Sequence, residues 1–403
     1  MQSYYSKKPK QAYGIQIAIC LLLVPFFKPV GIAVYPVLND CFVIWKIISM
    51  GILTFVFIWN IKAIKLSIWE MSIIFFLLIC LIDALRFSGS LMDWLLDALP
   101  VIYIVLFIQI CFCCDKNDDL LKASCWLFRG LILINLVSAL YIRLVGPLFQ
   151  VIENDFTYFL GTDNYSAFSI LPFFLILFIS HSLVDTNESE KRVDYILYIG
   201  SVLFFIFVQS LSAAGAFLVF GVLVFLYQRI PSFPRLLTPL PFLLFLAIVL
   251  IFILGFQAHQ IIGDILIGSG KGLSLNSRTD IWEGALNLIQ EQPLLGYGSQ
   301  EDFLASTFLL YGASHAHNLL LDMLLRGGVV GAVLYLYFLA KPFTQIVPLQ
   351  KNKAVWCMLS FFVAYGMISF MDFYPFYIAP IFAITFAYYC GQLILKRGKL
   401  IVQ

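Results

Sequence analysis

The sequence predicts an all-α, polytopic bundle of about twelve transmembrane helices, with one large extracytoplasmic loop containing short helices. Three observations carry this. Hydrophobic residues make up 62% of the 403 residues and charged residues only 12%, where an ordinary soluble domain is about a quarter charged. The apolar residues fall into runs of about 20, the length a helix needs to cross a bilayer. Lysine and arginine gather between alternate runs, as expected for one membrane face.

Taken in order, the runs place spans at 13–34, 42–60, 68–86, 94–114, 122–145, 165–184, 194–209, 212–229, 236–256, 316–340, 354–371 and 376–395. Lys7, Lys8 and Lys10 imitate the start of a signal peptide. The run behind them continues through Lys28-Pro29 without an A-x-A-like site, which predicts an uncleaved first span. A tight turn near Gln209–Leu211 separates the seventh and eighth spans. The clusters Lys62/Lys65, Lys116/Lys122, Lys191/Arg192, Arg229/Arg235, Lys341/Lys351/Lys353 and Lys396/Arg397/Lys399 fall on the same side as Lys7. The positive-inside rule makes that side cytoplasmic, puts both termini inside and leaves residues 257–315 outside. The cytoplasmic loops are short and contain no P-loop or nucleotide-binding βαβ unit, which argues against ATP hydrolysis. No internal repeat and few linkers point to one integral membrane domain spanning 1–403.

The net charge of +2 gives no reason to expect nucleic acid or an acidic protein partner. Cys20, Cys80, Cys125, Cys357 and Cys390 sit inside apolar runs, while Cys111, Cys113 and Cys114 cluster at one helix end. Neither a disulfide framework nor a metal pattern of paired CxxC motifs emerges.

Lys28, Asp83, Arg86, Asp97, Arg129, Arg143, Asp322, Arg326 and Asp372 lie within or at the ends of spans. A charge at the bilayer centre costs roughly 2.5–3.5 kcal/mol on insertion scales, so central ones should face the bundle or a wet cavity. Snorkelling to a helix end is the plainer reading for Arg86, Arg129 and Arg143. Asp322 and Arg326, four residues apart, can pair on one helix face. A second external loop, GPLFQVIENDFTYFLGTDN, ends at Asn164. Its Phe156, Tyr158 and Phe159 fit either a sugar-stacking surface or an interfacial aromatic belt.

The chemistry-bearing residues concentrate between Asn276 and Gly331. Ser277-x-x-Asp280 reads as a capping box opening a short helix, with Ile281, Ala285, Leu288 and Ile289 on one face and Pro293 stopping it. Arg278 then falls in the first turn, where the helix dipole disfavours a cation. An anionic partner such as a phosphate would account for it, and so would a surface pair with Asp280. Gly296-Tyr297-Gly298 reads as a tight turn allowing close backbone approach to a ligand, and Ser299-x-x-Asp302 as a further cap.

His315 and His317, two of the four histidines, open the tenth span. On a helix they would diverge by about 200°; an extended backbone puts them on one side. A two-histidine metal site lacks an obvious third ligand, and a capping role is the bland alternative. Gly327-x-x-x-Gly331 is a small-residue face for close helix packing.

Ser277-Arg278-Thr279-Asp280-Ile281-Trp282, then Pro293-Leu294-Leu295-Gly296-Tyr297-Gly298, then His317-Asn318 and the Gly327/Gly331 helix resemble the O-antigen polymerase and O-antigen ligase superfamily in order and spacing. Those are polytopic bacterial inner-membrane glycosyltransferases using undecaprenyl-diphosphate-linked sugars. The resemblance implies Arg278 on the donor diphosphate and His317 activating the acceptor hydroxyl. It also marks His315, Asn318, Asp280, Trp282, Tyr297 and Gly298 as substrate-binding positions, to which the second loop adds Asn164. The ligases often carry Ser-Arg-Gly at the head of an earlier span; here Leu211-Ser212-Ala213-Ala214-Gly215 has no arginine. A second phosphate-binding arginine must then come from elsewhere, with Arg86 and Arg143 as candidates.

The expectation is a glycosyltransferase needing no cofactor or metal, in the bacterial inner membrane with its active site on the outer face. It would polymerise lipid-linked repeat units for O-antigen or capsule, with a ligase as the alternative. The implied partners are the lipid-linked donor, the glycan acceptor, membrane lipid, a flippase and a chain-length regulator. The rival from another class is a flippase or transporter, which should gather its polar groups at the bilayer midplane.

Overall fold

The computed structural model describes residues 12–86, 91–149, 151–152, 155–229, 272–298, 315–374 and 376–402. In an apolar stretch the backbone has no water to bond, so its amides and carbonyls close on one another as helices. The chain accordingly forms α1 (Ala12–Leu23), α2 (Pro36–Trp59), α3 (Ile68–Arg86), α4 (Leu91–Asp97), α5 (Leu99–Cys113) and α6 (Asn117–Leu144). After these come α7 (Asp163–Leu183), α8 (Glu188–Phe207), α9 (Leu211–Arg229), α10 (Gly272–Glu291), α11 (Leu319–Ile346), α12 (Lys353–Met371) and α13 (Ile378–Val402). A two-residue hairpin, Val151–Ile152 against Asp155–Phe156, is the only ladder among the described residues.

Among the described residues, 7 helices are long and apolar enough to cross a membrane, and Tyr13–Phe27, Ile68–Ile82 and Leu211–Leu226 are shorter apolar ones. Eleven of the twelve expected spans fall on helices; the one at 236–256 lies outside the described residues. Helix α8 opens on Glu188, Glu190, Lys191, Arg192 and Asp194, so its apolar part is short for a full crossing. The expected turn near Gln209 is present: Gln209 takes a φ of 58° and Ser210 N donates to Phe205 O at 3.0 Å.

Helix α7 is the hub, lying against α6, α8, α9, α12 and α13. Its span is 83% buried, where that of α2 at the periphery is 11% buried. Helices α3 and α11 pack closely because Gly327 and Gly331 admit the Phe76 ring, which would sit 3.3 Å from an added Cβ at either position. Pro342 inside α11 has no N–H for the Phe338 carbonyl one turn back. Trp69 Nε1 donates to that carbonyl instead, at 2.8 Å.

Residues 158–161 fold back onto α6, α8 and Gly31. Phe159 N donates to Ser138 Oγ (3.1 Å), Leu160 N to Asn135 Oδ1 (2.8 Å), and Gly31 N to Phe159 O (3.0 Å). Tyr158 is buried edge-on to Phe204, with ring centroids 4.9 Å apart. Phe156 is exposed. One of the three loop aromatics is thus a core residue, fitting neither expected role.

Candidate functional site

Helix α10 positions the site. Its apolar face was legible: Ile281, Ala285 and Leu288 are buried with Ala316, Leu325 and Tyr297, and Ile289 packs beside them. The helix stops at Glu291, just before Pro293, as expected. Its start was misjudged. It already runs from Gly272, so Ser277-x-x-Asp280 lies inside the helix and Arg278 is beyond the first turn. Leucines at 273 and 275 favour helix, and once nucleated a helix extends at little cost. At Arg278 the helix dipole therefore gives no reason to expect an anionic partner. Arg278 and Asp280 lie on α10 one turn and half a turn before Trp282; their side chains are outside the described set, as are Ser299 and Asp302.

The Pro293–Gly298 motif is a backbone joint. In an unbroken helix Val329 N–H would reach Leu325 O and Val330 N–H would reach Arg326 O. Helix α11 is instead broken at Gly328, with φ 57° and ψ −163°. Val329 N donates to Pro293 O (2.8 Å) and Val330 N to Leu294 O (3.2 Å), while Leu325 O and Arg326 O accept from Tyr297 N and Gly298 N (both 2.8 Å). Two glycines make this possible. A Cβ at Gly296 would lie 2.5 Å from Leu325 O, and one at Gly328 would lie 2.2 Å from Leu294 C. The close approach expected for Gly296-Tyr297-Gly298 is thus made to the chain's own helix. Tyr297 is buried, and its hydroxyl donates to Glu291 Oε2 at 3.0 Å.

The joint presents residues 315–318. Their helix begins at Leu319, later than expected, because Asn318 is the stronger N-cap. Asn318 Oδ1 accepts from Leu320 N (3.0 Å) and Leu321 N (3.1 Å), and Nδ2 donates to Phe370 O at 3.2 Å. The Ala316 peptide is gripped on both sides: its N–H donates to Asp322 Oδ1 (3.1 Å), and its carbonyl accepts from Trp282 Nε1 (2.9 Å). Asp322 is fixed in turn by Arg326 Nε at 2.8 Å, the ion pair expected from their spacing, and both are buried.

With the backbone non-helical here, both histidines turn to the same side. His317 adopts a φ of 48°, a left-handed conformation uncommon for a side chain with Cβ and often found at functional positions. Their common partner is Asp372 at the end of α12. Asp372 Oδ1 accepts from His315 Nε2 (3.1 Å), His317 Nδ1 (3.2 Å) and Phe373 N (3.0 Å), and Oδ2 accepts from Tyr374 Oη at 3.2 Å. The two imidazole centroids are 4.0 Å apart. Tyr374 packs on His315 and meets Tyr165 of α7 at 4.4 Å between centroids, which brings the start of α7 to the same place.

Burial alone would raise the Asp372 carboxyl; hydrogen bonds from both histidines overcome this and hold it far below the usual carboxylate range. Burial works against charge on His315, but the bond and charge of Asp372 prevail and raise that imidazole above 6.5. The carboxylate is therefore an anion, and the ring nitrogens that face it act as hydrogen-bond donors. For His317, bonded through Nδ1, the nitrogen left to accept a proton is Nε2. Its side chain is 24% exposed against 13% for His315 and 4% for Asp372, so His317 is the most open of the three. His315, His317 and Asp372 each also offer one metal-ligand atom, all within 4.8 Å of one another.

The structure thus gathers His315, His317, Asn318 and Trp282, and places Tyr297 and Gly298 in the supporting joint. Asn164 Oδ1 accepts from Ser210 Oγ (2.6 Å) and Ser212 Oγ (3.2 Å) at the head of α9, the position where the resembling ligases carry their arginine. Arg143 ends α6 with its guanidinium 5.5 Å from the Phe207 ring centroid, and Arg86 is exposed at the end of α3. Asp372 was noted only as a charge at a span end. The available signal is an acid directly behind an apolar span, in the aromatic stretch Met371-Asp372-Phe373-Tyr374, that needs a partner.

The chain matches no curated protein. Residues 196–336 match a family model described as O-antigen ligase. That stretch runs from α8 through the joint, Trp282 and the two histidines into α11, and stops short of Asp372. Over that stretch the chain is similar to the O-antigen ligase family, in keeping with the resemblance its motifs carry.

Proposed function

We propose that this protein is an inner-membrane glycosyltransferase that polymerises undecaprenyl-diphosphate-linked oligosaccharide repeat units into O-antigen or capsular polysaccharide. The single observation that carries the proposal is the Asp372–His317 contact at 3.2 Å. A sugar hydroxyl is a weak nucleophile, and a group that removes its proton during attack commonly contributes 10²–10⁴-fold. In this scheme the acceptor hydroxyl transfers its proton to His317 Nε2 as its oxygen attacks the anomeric carbon. The bond to the diphosphate breaks on the opposite face, inverting configuration, and undecaprenyl diphosphate leaves. Asp372 stabilises the imidazolium that forms. Arg278 takes the departing diphosphate, since a guanidinium pairs bidentately with phosphate oxygens. Its helix supports this placing, because Trp282, one turn further on, is bonded to the peptide between the two histidines. The reaction draws its driving force from the diphosphate leaving group and uses no metal.

In this reading, which the basic clusters support, both termini lie in the cytoplasm and the histidine cluster on the outer face, where a flippase would deliver the donor and a chain-length regulator would act. Residues 1–403 form one domain in this reading, with 257–315 as its catalytic loop. The family model's description favours a second reading, a ligase moving the finished glycan to a distinct acceptor. A flippase reading fares worse, since the cluster sits at helix ends. Purified protein given one lipid-linked repeat decides among them. A product ladder establishes a polymerase. Transfer that requires a second, different acceptor establishes a ligase, and no transfer under either condition refutes both.

A further inference from the structure

We infer that His315 Nε2, His317 Nδ1 and an Asp372 oxygen form a zinc-type cation site, and that the bound cation switches the enzyme off. The second half rests on the glycosyltransferase reading above; the first does not.

The geometry is the first reason. Zinc–nitrogen and zinc–oxygen bonds of about 2.0–2.2 Å in a tetrahedron set neighbouring ligand atoms roughly 3.3–3.5 Å apart. Here the two nitrogens lie 3.1 and 3.2 Å from Asp372 Oδ1, and all three atoms fall within 4.8 Å of one another. Shifts of a few tenths of an ångström would seat an ion among them. The residues that would carry those shifts are already ordered. Phe373 N and Tyr374 Oη hold the carboxylate, and Trp282 and Asp322 hold the peptide between the histidines. Outer partners of this kind tune metal ligands and typically matter 10–100-fold in affinity.

The donor set is the second reason. Two imidazoles and a carboxylate suit zinc and its first-row neighbours, whereas magnesium and calcium prefer all-oxygen sites. Three protein ligands leave a fourth position, and the partial exposure of His317 puts that position on the accessible side.

The consequence for catalysis follows from proton placement. With Asp372 alone as partner, His317 holds its proton on Nδ1 and accepts at Nε2. A cation on Nδ1 moves that proton to Nε2, and the ring can no longer accept the acceptor hydroxyl's proton. A neutral imidazole keeps one proton throughout; a His315 that began charged releases one to solvent.

The test is a cobalt(II) titration of detergent-purified, chelator-stripped full-length protein, followed by visible absorption. Cys41, Cys113 and Cys114 are exposed, so the background carries Cys41→Ser, Cys113→Ser and Cys114→Ser to exclude thiolate ligation. Expected are the d–d bands of four-coordinate cobalt without a thiolate charge-transfer band, displaced by zinc. Affinity should fall at least tenfold in His315→Gln and in Asp372→Asn, with tryptophan fluorescence reporting that each variant is folded. In the transfer assay, zinc should abolish wild-type turnover and a chelator restore it. Absence of the bands in wild type overturns the site whatever the variants do, as do bands of unchanged affinity in both variants. Cobalt binding with zinc-insensitive transfer overturns the switch. If the protein transfers no glycan at all, the titration still decides the site, and the glycosyltransferase reading fails separately.

Discussion

His317 and Asp372 stand 55 residues apart in sequence, yet His317 Nδ1 lies 3.2 Å from Asp372 Oδ1. The first precedes α11 and the second ends α12, so this contact closes one end of the bundle. Replacing the carboxylate by its amide separates charge from shape. In Asp372→Asn the imidazolium formed during transfer loses its counter-charge, and the amide can present an N–H to a ring nitrogen. Turnover should fall by roughly a hundredfold or more, the scale of general-base catalysis, with donor affinity nearly intact. Steady-state kinetics beside a direct donor-binding measurement checks this; a loss of binding equal to the loss of turnover would make Asp372 a structural residue only.

Gly328 should tolerate no side chain. Its φ of 57° with ψ of −163° is accessible essentially to glycine alone, and such strain costs of order 1–3 kcal/mol before any clash is counted. The clash here is with backbone. Gly328→Ala should lower the thermal unfolding midpoint clearly. Gly130→Ala, where an added Cβ meets nothing within 4 Å in α6, should leave it level or raise it.

Much of this architecture is readable from local pattern. Apolar runs of bilayer length mark their helices, Pro293 marks the end of α10, and the 3.6-residue spacing of Ile281, Ala285 and Leu288 marks the face that is buried. The capping box at Ser277 misled because a helix start depends on whether the preceding residues can also be helical. The Gly296-Tyr297-Gly298 motif was legible as close backbone approach, but the approached surface was not. Its partner is a helix break at Gly328, inside a stretch whose sequence reads as one continuous span. Asp372 is legible as a span-end charge needing a partner, but not as the partner of His317: pairing across 55 residues belongs to tertiary structure, and no periodicity encodes it.

Trp282 acts through the backbone of Ala316. Trp282→Phe keeps an aromatic ring and removes the 2.9 Å bond to that carbonyl, a loss of roughly 0.5–1.5 kcal/mol by the usual measure. The fold should survive, and turnover should drop several-fold as the histidines loosen. Kinetics together with an unfolding curve tests this; unchanged turnover would show that the joint alone holds residues 315–318.

Arg278 is assigned the donor diphosphate. Lysine preserves the charge but not the planar fork that grips two oxygens at once. Arg278→Lys should therefore weaken donor binding severely, seen as a raised KM for the lipid-linked repeat. Wild-type KM and turnover in that variant would remove Arg278 from the site.

In the proposed mechanism His317, oriented by Asp372, accepts the acceptor's proton. The most direct measurement is single-turnover transfer from a lipid-linked repeat by His317→Ala and His315→Ala, each with donor binding measured in parallel. The expected result is a loss of roughly a hundredfold or more in His317→Ala with donor still bound, and a smaller loss in His315→Ala, whose ring only braces the carboxylate. Near-wild-type transfer by His317→Ala would contradict the claim. If His315→Ala were then inactive, the base would be His315; if both variants stayed active, neither imidazole would be the base.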